Sequence, residues 1–94
     1  MIEFELPEEM DGKFASLIPA QRLKVNQLIM NGRIQMYALC ADRSKLWCMV
    51  RAKDEMDAMD VISEFPLISY INPTIKPLMF YNSESELLPS ISLN

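Results

Sequence analysis

Two spacings follow one another between residues 33 and 80, and few folds accept both in that order. Arg33 to Ala52 alternates around a tight polar break, Asp42-Arg43-Ser44, which is the pattern of two strands joined by a turn. Asp54 to Phe65 then takes up a helical spacing, and Thr74 to Phe80 returns to a strand. With the strand and helix that precede them, the order is β-α-β-β-α-β, a split-βαβ sandwich of the α+β, ferredoxin-like kind.

Upstream, Ile2, Phe4 and Leu6 alternate with Glu3 and Glu5, which predicts a first strand that stops at Pro7. Glu8 to Leu17 reads as a short helix or turn. Pro19 suits the first position of the main helix, where a missing N–H needs no partner. Val25, Leu28 and Ile29 supply that helix's apolar stripe, and Asn31-Gly32 ends it. In the second helix Ala58, Met59, Ile62 and Phe65 are expected inward, with Asp54, Glu55, Asp57, Asp60 and Glu64 mostly outward and Pro66 as the stop. Pro73 and Pro77 place the last strand at a sheet edge, since proline cannot donate to a central ladder. The expected division is a domain over 1–81 and a tail or docking arm over 82–94, where Leu87, Leu88, Ile91 and Leu93 punctuate a Ser-rich segment.

Ninety-four residues make one domain with a thin core, so covering a further face with a second copy is an effective way to gain stability. The net charge of −4 and the scattered basic residues argue against nucleic acid as a partner. No apolar run reaches the length of a membrane span, and Met1-Ile2-Glu3-Phe4-Glu5 lacks the order of a signal peptide, so a cytoplasmic protein with no membrane partner is expected. Cys40 and Cys48 flank the hairpin turn within reach of one another. Their expected core positions and a reducing compartment predict free thiols. With no histidine and only two cysteines, neither a metal nor another cofactor is expected. Any proton transfer must fall to Asp, Glu, Tyr, Lys or Cys.

Strict alternation puts Ile34, Met36, Ala38 and Cys40 on the helix side of the hairpin, together with Leu46, Cys48, Val50 and Ala52. The uncovered side then carries Gln35, Tyr37, Leu39, Trp47, Met49 and Arg51, beside Glu3 and Glu5 of the first strand. That mixture is too apolar to stand in water as one patch and too polar for a dry core. Two copies closing these faces would form a dimeric α+β barrel with a shared cavity.

Several segments resemble the muconolactone isomerase-like family: Asn31-Gly32 leading into a strand, the turn Ala41-Asp42-Arg43-Ser44-Lys45-Leu46-Trp47, the helix closing on Glu64-Phe65-Pro66-Leu67, and Pro77-Leu78-Met79-Phe80. The resemblance spans about residues 1–81. It implies a homodimer or a ring of dimers, and an isomerase-like activity that moves a proton in a small unsaturated lactone or organic acid. Characterised relatives carry pocket histidines, and this chain has none to receive that role.

Among the candidate site residues, Glu5 could serve as a proton shuttle if desolvation raised its proton affinity. Its structural alternative is an ion pair with Arg51. Arg51 could hold a ligand carboxylate through its planar fork or neutralise Glu3 and Glu5. Tyr37 could donate to a ligand oxygen, with Trp47 and Met49 closing the pocket, although all three suit an interface equally well. Two rivals accompany the isomerase reading. One is a non-catalytic small-molecule-binding or oligomerisation module, which the missing histidines favour. The other is a cofactor-independent monooxygenase, which a uniformly apolar pocket would favour.

Overall fold

The computed structural model describes residues 1–79. Strands β1 (Ile2–Glu5), β2 (Ile34–Leu39), β3 (Lys45–Val50) and β4 (Asn72–Ile75) alternate with helices α1 (Gly12–Met30) and α2 (Glu55–Ile62), and a single 3-10 turn, Ile68–Tyr70, precedes β4. The four strands form one antiparallel sheet in the order β2-β3-β1-β4. This is the expected α+β, ferredoxin-like arrangement, and β4 with its Pro73 does lie at an edge. Phe80 and the tail over 82–94 fall outside the described residues. No helix among the described residues is long and apolar enough to cross a membrane.

The helix α1 begins seven residues before Pro19, not at it. Asp11 caps its start by accepting from the Phe14 N–H at 2.8 Å, a bond that satisfies one of the orphan donors of the first turn. Phe14, Ile18, Gln21, Val25 and Leu28 then recur at a four-then-three spacing and face the sheet. That continuous stripe outweighs the break at Pro19, whose own residue is exposed, as is Ala15 with the carbonyl that loses its helical partner. Ile29, expected in the stripe, is exposed because the stripe has rotated past it. At the far end Gly32 takes a positive φ of 77°, and the Arg33 N–H returns to the Leu28 carbonyl at 2.9 Å.

Asp54 caps α2 by accepting from the Asp57 N–H at 2.8 Å. Ala58, Val61 and Ile62 are buried, whereas Met59 faces outward in place of the expected inward position. Phe65, just past the helix, packs at a tilt against Phe4 of β1 with ring centroids 5.7 Å apart. Each fully buried side chain of this size contributes roughly 1.5–3 kcal/mol over its exposed state. The helices are tied at their flanks by Lys24 to Glu64 at 3.7 Å and by Arg33 of the α1–β2 connection to Asp57 at 3.0 Å.

The register of the hairpin departs from strict alternation. Ile34 lies opposite Val50, but Met36 lies opposite Met49, so β2 carries one extra residue, Gln35, as a bulge. Beyond it every side chain changes face. Tyr37 pairs with Cys48 and Leu39 with Leu46 on the helix side, while Met36 and Ala38 join Met49 and Trp47 on the uncovered side. The expected placement of Tyr37 and Leu39 on the uncovered face, and of Met36 and Ala38 in the core, is thereby corrected. In the turn Asp42 accepts from both the N–H and the hydroxyl of Ser44, at 2.9 and 2.6 Å, and Arg43 adopts a left-handed φ of 62°. Cys40 and Cys48 are both free thiols. Cys48 is wholly buried, which pushes its thiol pKa up to about 12.

Candidate functional site

The five candidate residues separate into three places. Glu5 and Trp47 lie on the uncovered sheet face. Met49, on the same face, also lines with Arg51 a cleft of about 460 Å³ at one end of the sheet, which takes in Lys53, Asp54, Glu55 and Lys76. Tyr37 lines a second pocket, of about 380 Å³, between α1 and the sheet.

Glu5 and Arg51 do not form the expected pair. Glu5 lies opposite Lys45 at the start of β3, whereas Arg51 follows Val50 at its far end, roughly 20 Å away by strand rise. Glu5 is exposed and lines neither cavity. The carboxylate with firm partners on this face is Glu3, which accepts from the Trp47 indole N–H at 3.0 Å and sits 3.6 Å from the Lys45 ammonium. The indole bond, helped by Lys45, holds the Glu3 carboxyl below its ordinary pKa.

The pocket under α1 is built by the bulge and by the helix stripe together. Phe14, Ile18, Leu46, Leu67 and Ile71 supply apolar walls, and Arg22 and Arg43 are exposed residues of its lining. Gln21 and Tyr37 are the neutral polar groups within it. Gln21, only 3% exposed, donates from Nε2 to the Tyr37 hydroxyl at 3.2 Å and accepts at Oε1 from the Leu67 N–H at 3.1 Å. The Tyr37 ring meets Phe65 edge-on, with centroids 6.3 Å apart. Burial raises the phenol's pKa and the bond from Gln21 opposes that only in part, so the hydroxyl stays protonated at neutral pH.

No described residue that lines this pocket carries a carboxylate, a thiol or an imidazole. These described residues can therefore hold, orient and polarise a ligand, but none of them supplies a ready base to remove a proton from carbon. Among the described residues no group of three or more potential metal ligands comes together. Sequence reasoning missed Gln21; the signal that could have found it is its position seven residues after Phe14 and four before Val25, within the apolar stripe.

The sheet order and the two helices stacked on one face define a ferredoxin-like α+β domain. A family model described as muconolactone delta-isomerase matches residues 1–84, and the chain belongs to that family. No curated protein matches it.

Proposed function

We propose that this protein binds a small unsaturated lactone or organic acid in the pocket between α1 and the sheet. The observation that carries the reading is the lining itself: apolar walls around one part-buried amide–phenol pair, two exposed guanidinium-bearing residues, and no base among its described residues. Apolar walls suit the hydrocarbon part of such a ligand, the Tyr37 hydroxyl suits its ring oxygen or carbonyl, and Arg22 or Arg43 suits a carboxylate. Family membership supports the ligand class.

Isomerisation is the second reading, favoured by the reaction for which the family is described. It needs a base that no described residue of this pocket supplies, and Glu5 stands on the opposite face of the sheet. Cofactor-independent oxygenation is less well supported, because the Gln21–Tyr37 pair makes the pocket polar at its floor.

Titrating the protein with a five-membered unsaturated lactone in D₂O, followed by NMR, separates binding from turnover. Binding predicts shifts at Phe14, Tyr37 and Leu46, with ring hydrogens exchanging for deuterium no faster than in buffer. Exchange well above the buffer rate would establish the isomerase reading, and unmoved pocket resonances would overturn both.

The uncovered sheet face is the proposed self-association surface. Met36, Trp47 and Met49 are half-buried there within a single chain, and neither described helix covers them. Two copies closing these faces would withdraw that apolar area from water and form the dimeric barrel.

A further inference from the structure

Gln21 is the buried polar side chain of the core among the described residues, and both ends of its amide are committed. The direction of those bonds is determined by chemistry. The Leu67 N–H can only donate, so the end of Gln21 that meets it is the carbonyl oxygen. The other end is then the NH₂, which also can only donate. Tyr37 Oη must therefore accept from Gln21, and its own hydrogen is left to point elsewhere. Among the described residues Gln21 is the one hydrogen-bond partner of that hydroxyl, and Tyr37 belongs to the lining of the pocket.

We infer that Gln21 is a positioning residue that turns Tyr37 into an outward hydrogen-bond donor, so that the pocket selects ligands presenting a carbonyl oxygen over those presenting a hydroxyl at the same place. This rests on the reading of the pocket as a ligand site. A carbonyl accepts from Tyr37 and asks for nothing more. A ligand hydroxyl can also accept, but its own hydrogen then faces apolar walls, and an unpaired buried donor is costly. The Leu67 N–H anchors the whole chain of bonds, because it follows Pro66 in the backbone just after α2 and cannot reverse.

The test uses two probes of one shape, 2-cyclohexenone and 2-cyclohexenol, titrated into the full chain and read by shifts of the Phe14, Tyr37 and Leu46 side chains. The enone should bind about tenfold more tightly than the alcohol, the ratio expected when one buried hydrogen bond is lost. Gln21→Glu should reverse the preference. Its carboxylate accepts from Leu67 and from Tyr37, consuming the phenolic hydrogen and leaving the phenol oxygen to accept from the alcohol. A merely structural role for Gln21 would weaken both probes together without changing their order. Should Gln21→Glu fail to fold, Tyr37→Phe should erase the wild-type preference. Equal affinity of the two probes for the wild type overturns the inference and leaves the pocket reading standing. No shift at the pocket with either probe overturns both.

Discussion

Asp42, which is exposed, and Asp57, which is half-buried, are carboxylates whose hydrogen bonds make them responsive to acid. The Ser44 hydroxyl and N–H draw the Asp42 pKa down to about 2, and the Lys53 N–H together with the Arg33 guanidinium lowers that of Asp57. Both groups bind protons more weakly folded than unfolded, so each contributes stability that is present above the ordinary carboxyl value of about 4. That contribution is lost as pH falls through the depressed folded value. Thermal unfolding followed from pH 5 down to pH 2 should therefore show a falling Tm, and Asp42→Asn, which keeps the turn's acceptor oxygen, should make the decline shallower. An unchanged slope would show that the turn carries none of the acid sensitivity. The Asp42 turn was legible in the sequence, because Asp followed two residues later by Ser has a short-range mechanism. The bonds that Gln21 makes were not, although its place in the stripe signals its burial. A buried amide that joins a helix, a strand and the segment after α2 depends on contacts far apart in sequence, and no local pattern reports them.

At the level of elements, the competition between a proline and an apolar stripe decided α1. Pro19 removes one N–H from the middle of a helix and disfavours the turn before it, yet Asp11 and Phe14 anchor that turn from below. Pro19→Ala restores the donor to the Ala15 carbonyl and should stabilise the protein by about 1–3 kcal/mol, measured as a higher urea midpoint at unchanged m-value. A loss of stability would mean that the proline's stiffening of the unfolded chain outweighs its cost in the helix. The positions of β1, the hairpin and α2 followed from spacing alone, since each spacing repeats over enough residues to be read. Met59 faces outward against expectation, and Val61 is buried, because α2 is only two turns long and a stripe so short does not define its own angle. The bulge at Gln35 was hidden for a different reason: Arg33 to Leu39 alternates equally well with either face inward, and only pairing with β3 reveals the extra residue.

For the molecule as a whole, the sheet leaves Trp47 on a face that the helices do not cover, with its indole N–H already bound to Glu3. Trp47→Glu would place a second carboxylate beside Glu3 in the proposed interface, at a cost of several kcal/mol for an unpaired charge enclosed there. Light scattering should find a dimer or larger assembly for the wild type at micromolar concentration and a folded monomer for the variant. A wild-type monomer would remove the barrel. The bulge couples the pocket to the proposed contact face. Parity along β2 is a single binary choice: it sends Tyr37 to one side of the sheet and, by the same step, sends Met36 and Ala38 to the other. A one-residue slip of β2 against β3 would empty the pocket of its phenol and strip the opposite face of its methionine together. The chamber and the contact surface are thus inherited as one unit, and mutation cannot tune the parity of one while sparing the other.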